Sequence, residues 1–220
     1  ISPISARRST ASPARVPPIV RRITRRWNRP ASATPIVRAV RAAYCAAGSI
    51  IPTDESVVYD GITELSSAEQ PKMARAQAFA KHCLELADAR GLVAAPRFEL
   101  KNIPKLSPYV VVLGVVDHGL DFTVRHAGAK VVADFFSRDP TGRSVSEGLR
   151  EDEFGRRSWY ITRQATHLKK PILNQPGRTW LREKDFLTLE TVTFPLVDED
   201  EAVVKLATIF DFAFDQGVAG

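Results

Sequence analysis

The chain has 220 residues, 44% hydrophobic and 25% charged, which suits one globular domain with an appendage and a core that needs no disulfide or metal. Its net charge of +6 is unevenly placed: ten arginines and no acid fall within residues 1–53, leaving 21 basic and 25 acidic residues for the remainder. A mildly acidic folded part excludes an obvious nucleic-acid surface there, and no apolar run approaches the roughly 18 residues that span a bilayer.

Residues 1–33 are rich in Arg, Pro, Ser and Ala and show no hydrophobic periodicity. Such a segment buries too little surface to offset its ordering entropy, so a disordered basic arm is expected. The chain begins with Ile1. Three readings stand for this arm: a contact with polyanions or membrane surfaces, an Arg- and Ser-rich leader, or read-through upstream of the true start. A segment without a defined role is preferred.

Residues 34–66 are read as a short helix and a linker. Thr34 suits the cap, Pro35 the first turn and Gly48 the stop. Ile36, Val37, Val40, Ala43, Tyr44 and Ala47 form a stripe that needs a partner surface.

Residues 67–220 are read as the folded domain. A helix is predicted over 67–90, with Ser67 and Gln70 as a capping box and Gly91 as the stop. Met73, Ala76, Phe79, Ala80, Cys83, Leu84 and Ala87 recur at helical spacing. Pro96, Pro104 and Pro108 punctuate an ordered strap. Residues 109–116 are nearly all apolar or β-branched, predicting a strand covered on both faces. Asp117, His118 and Gly119 form a turn. Residues 121–126 alternate as a half-exposed strand, and 129–136 read as a short helix.

Asp139 is expected to cap the turn at Thr141 and Gly142. Helices follow over 144–149 and 151–170, the second with Phe154, Ser158, Ile161, Ala165 and Leu168 inward. Strands are predicted at 179–182, 186–197 and 201–214, with the last two joined through Asp198, Glu199 and Asp200. Helices placed inside an antiparallel strand order argue α+β.

This order, with certain residues, resembles the PAS domain superfamily, and within it the stand-alone alphaproteobacterial PAS-type regulatory proteins. The resemblance runs from Lys72 to Phe214. It rests on Pro96-Arg97, Ile103-Pro104, Leu106 and Pro108, then on Phe122, Arg125 and Gly128. It is clearest at Arg138-Asp139-Pro140-Thr141-Gly142-Arg143. Tyr160, Lys170-Pro171-Ile172, Glu190 and Phe194-Pro195-Leu196 complete it. The chain departs from the family pattern in lacking a Trp in the preceding helix and in a Pro-, Gly- and Asn-rich loop over 173–178.

The resemblance implies a five-stranded antiparallel sheet of order 2-1-5-4-3, with helices inserted between strands 2 and 3, packed on one sheet face and preceded by N-terminal helices. It also implies a cleft that holds a small ligand or is filled by side chains. Sensing or partner docking in signal transduction is the implied role, often as a dimer through the N-terminal helix.

No nucleotide loop or hydrolase elbow occurs, and the four histidines lack metal-ligand spacing. The expectation is a non-catalytic cytoplasmic domain that senses a small molecule or docks a signalling partner. The alternative is an interaction module with a filled cleft, using an open sheet face and the 34–47 helix. The sequence names no cofactor. His167 lies off the inner helical stripe, so haem is not expected. Cys45 and Cys83 stand outside any C-x-x-C and are read as reduced thiols.

Candidate ligand-binding residues are Arg125, Phe136, Trp159, Tyr160, Gln164, Glu190 and Phe194. Trp159 and Tyr160 serve equally well as core. Glu190 pairs with an arginine or faces solvent on the open sheet face. Arg138, Asp139, Thr141, Gly142 and Arg143 are read as a structural motif in which Asp139 caps and an arginine bridges to a carboxylate. The functional reading of that motif places an arginine at the pocket mouth.

Overall fold

The computed structural model describes residues 59–148, 153–179 and 187–214. The expected arm at 1–33, the expected helix at 34–47 and nearly all of the strand expected at 179–182 lie outside the described residues. So does Cys45.

Strong β-formers dominate the longest strands. β6 (Leu187–Val197) and β7 (Val203–Phe214) pair antiparallel along nearly their whole length. β3 (Val110–Val116) joins the other side of β7, and β4 (Asp121–Ala127) pairs outside β3. β5 (Ile172–Arg178) lies on the far side of β6. The fold is α+β, with a mainly antiparallel sheet.

The sheet has seven strands where five were expected. β1 (Ile62–Glu64) pairs antiparallel with β5. β1 pairs with the regular stretch Ile172–Asn174 and so covers an otherwise open edge, while the bulge between Asn174 and Gly177 blunts the rest of β5. β5 pairs with β6 only as far as Thr193, leaving the end of β6 open. β2 (Val93–Ala94) fills that gap in parallel, beside Leu196 and Val197. The expected loop at 173–178 is thus a bulged strand. Ladder hydrogen bonds to β6 override the local turn preference of Pro176 and Gly177.

The sheet is covered on both faces, which corrects the expectation of an open one. On one face lies α1 (Ala74–Leu86), whose Ala76, Phe79, Ala80 and Cys83 pack on Val110, Val112, Val192, Phe194 and Ile209. Phe79 sits edge-on to both Phe98 and Phe194. Leu84, predicted as part of this stripe, is instead 47% exposed. On the other face, α2 (Ala129–Phe135) and α4 (Glu153–Leu168) cover Val111, Leu113, Leu189, Leu206 and Phe212. The four-residue α3 (Val145–Gly148) lies between them.

Sequence signals for α1 place its start seven residues too early. The expected box at Ser67 and Gln70 is not formed: Ser66 accepts the Glu69 N–H at 3.2 Å and Gln70 donates to the Ser66 carbonyl, in a turn that precedes the helix. The helix has no side-chain cap of its own at Met73. The sheet supplies one. Glu190 accepts the N–H groups of Lys72 and Met73 at 2.7–3.1 Å, and Asp211 accepts those of Arg75 and Ala76 at 2.7 and 3.0 Å. These satisfy the donors that a helix N-terminus leaves unpaired.

Gly128 is required by a close approach. A Cβ there would sit 2.3 Å from the Pro108 carbonyl oxygen, so only a bare backbone lets the exit of β4 pass the strap. Among the described residues no helix is long and apolar enough to cross a membrane.

Candidate functional site

A cavity of about 450 Å³ lies between the sheet and the helices α2 and α4. Its apolar wall comes from Val111 and Leu113 on β3, Val124 on β4, Phe135 on α2, Ile161 on α4 and Phe210 on β7. β-Pleating explains the strand contributions: alternate residues share a face, so Thr191 and Thr193 look into the cavity while Val192 and Phe194 look toward α1.

The buried floor is polar. Thr191, Thr193, Thr208 and Asn174 are each more than nine-tenths buried. The Thr193 and Thr208 hydroxyls share a hydrogen bond of 2.9 Å. The Asn174 amide oxygen accepts from Arg157 at 3.2 Å. The Thr191 hydroxyl and the Asn174 amide nitrogen have no protein partner among the described residues and face the cavity. Arg157 also donates to the Asp60 carbonyl at 2.7 Å and lies over the Tyr59 ring at 5.2 Å, so it is tied into the wall.

The exposed lining residues cluster at Phe136, Ser137, Arg138 and Arg143, which places the opening along this segment. The turn that carries it is rigidly built. Asp139 accepts the Thr141 hydroxyl at 2.7 Å and its N–H at 2.9 Å, and these bonds hold the Asp139 carboxyl below its usual range. Gly142 has φ +85°, and Arg143 N–H reaches the Pro140 carbonyl at 3.0 Å. Gly142 and Arg143 then pair with Val124 at the outer edge of β4. Asp121 anchors the next step by accepting from the Ser144 and Ser146 hydroxyls at 2.5 and 2.8 Å.

Capping by Asp139 is therefore present, while the expected arginine bridge is not. Neither the Arg138 nor the Arg143 side chain has an ion-pair or hydrogen-bond partner among the described residues, and both residues line the opening. Of the candidate ligand-binding residues, Phe136 lies on the cavity wall. Trp159 is core, edge-on to Phe122 at 5.5 Å. Tyr160 is half-buried and packs edge-on to Tyr59 at 5.1 Å; burial pushes its hydroxyl pKa up. Gln164 is half-buried on α4 and does not line the cavity.

Arg125, Glu190 and Phe194 belong to the opposite face of the sheet. Arg125 is exposed and lies across Gly114. Glu190 neither pairs with an arginine nor meets solvent, because α1 covers it. Sequence reasoning passed over the polar floor. Its signal was the alternation Glu190, Thr191, Val192, Thr193, Phe194, which already separates the threonines from the other three.

Among the described residues no three His, Cys, Asp or Glu side chains come together as a metal-ligand group. His167 is exposed and contacts Arg163 at 3.4 Å. No protein-family model, no curated protein and no solved structure matches this chain.

Proposed function

We propose that this chain is a non-catalytic, PAS-like regulatory domain that senses a small molecule in the cavity between sheet and helices. The observation that carries the reading is the 450 Å³ cavity itself, apolar in its walls with a few convergent polar groups. Its volume falls within the roughly 300–1,000 Å³ of ordinary small-molecule sites. The run β4-β3-β7-β6-β5 within the sheet supports the PAS-like reading, because in chain order these are strands 2-1-5-4-3 of five. The position of α2, α3 and α4 between the second and third of those strands supports it further. Fold likeness alone does not assign function, so the cavity bears the argument.

Signalling would follow from differential packing. A ligand that fills the cavity presses on α4 and on the 136–143 segment, and shifts the population of states that differ there. Native mass spectrometry of gently purified protein tests the reading. The expected result is a co-purified small molecule released on denaturation. A bare protein mass, together with no thermal shift across a broad metabolite panel, would overturn it in favour of a pure interaction module.

A further inference from the structure

We propose that the cavity takes an elongated organic anion: a carboxylate at one end, an apolar middle, and a hydroxyl or carbonyl at the other. This inference rests on the ligand-sensing reading and adds the chemical class.

Polarity in the cavity changes along the strand order. At the β4 edge stand Arg138 and Arg143, both exposed, both lining the cavity and both without a carboxylate partner among the described residues. The described lining residues include no acid. A cationic opening of this kind repels amines and receives carboxylates, and guanidinium groups match the carboxylate plane. Next come β3 and β7, which present Val111, Leu113 and Phe210. Farther in, β6 and β5 present the Thr191 hydroxyl and the Asn174 amide, whose oxygen is held by the Arg157 guanidinium in the wall.

A hydroxyl and an amide N–H on the lining can each donate to an oxygen, so these groups match a ligand hydroxyl or carbonyl at the deep end. Three inter-strand steps separate β4 from β6, or about 14 Å at the usual strand spacing. A ligand that meets both ends therefore has a chain of about that length.

Isothermal titration with 10-hydroxydecanoate, decanoate and 1,10-decanediol tests the class. The hydroxy acid is expected to bind about tenfold more tightly than the diol, the scale of one charge-assisted contact. In Arg138→Gln/Arg143→Gln that advantage disappears while diol binding is unchanged. Because both side chains are exposed, the double variant is expected to keep its wild-type melting temperature.

Equal binding of diol and hydroxy acid overturns the anion assignment and leaves the cavity standing as a ligand site. Full hydroxy-acid affinity in the double variant also overturns it. Decanoate binding as tightly as the hydroxy acid overturns the role given to Thr191 and Asn174. If none of the three compounds binds, this inference falls, and the sensing reading is decided separately by the co-purification result.

Discussion

Glu190 and Asp211 stand directly opposite each other on β6 and β7, and together their carboxylates hold four backbone N–H groups at the start of α1. Asp211 also binds the Arg75 guanidinium at 2.8 Å, and that guanidinium lies 4.2 Å from the centre of the Tyr109 ring. Two acids side by side in a covered sheet face would ordinarily repel. Here the positive end of a helix dipole, its unpaired donors and one arginine compensate them. The pair is thus the link that seats α1 on the sheet.

Removing either acid leaves buried N–H groups without acceptors. Glu190→Ala and Asp211→Ala are each expected to lower unfolding free energy by about 2–3 kcal/mol. The double variant should lose less than the sum, because both act on one helix end. Urea denaturation of the three variants measures this.

Burial raises the Glu190 pKa, and the neighbouring Asp211 charge adds to the effect, although the Lys72 and Met73 amides oppose it. An acid whose pKa rises on folding contributes stability that is present below its unfolded pKa and lost as pH rises through the folded one. Glu190→Gln cannot titrate. The stability difference, wild type minus Glu190→Gln, is therefore expected to fall as pH rises from about 4.5 towards 7. Urea titrations at intervals across that range check it; a difference that grows with pH contradicts the account.

Gly128→Ala should be costly even though Gly128 has an ordinary φ of −62°. The added methyl would overlap the Ser107 and Pro108 carbonyls, at 2.6 and 2.3 Å, and a backbone oxygen has no rotamer by which to yield. A loss of about 2 kcal/mol or more is expected, read as a lower denaturation midpoint.

Ser158 lines the cavity from α4. Ser158→Phe should fill part of the cavity, leave the thermal midpoint equal or higher, and abolish capture of the co-purified molecule. Retention of that molecule by a folded Ser158→Phe would place its site elsewhere.

Cys83 is fully buried under α1, and burial pushes its thiol well above the usual range. A buried, protonated thiol is a poor nucleophile. In a Cys45→Ser background, native protein should therefore resist thiol-modifying reagents, and one thiol should react once the chain is unfolded in guanidinium. Rapid labelling of the native variant would show that α1 opens away from the sheet.

Local periodicity carried much of the fold. Phe154, Ser158 and Ile161 recur on the inner side of α4 and meet the cavity or the core, as their spacing predicts. The strands β3, β4, β6 and β7 start and end within two residues of their expected bounds, because β-branched runs and turn residues act over short range. The site was less legible. Its chemistry depends on which residues of separate strands share a face, and that depends on pairing register.

By itself, the sequence determined most of the helices, the strands β3, β4, β6 and β7, the capped turn at Asp139 and the α+β class, largely through patterns a few residues apart. Only the tertiary structure decided that Glu190 and Asp211 cap a helix more than a hundred residues away, that β1 and β2 extend the sheet, and that Arg138 and Arg143 stand over a cavity. Those relations join distant segments, and the free energy that favours them comes from pairing the open donors of a helix end and burying apolar faces together.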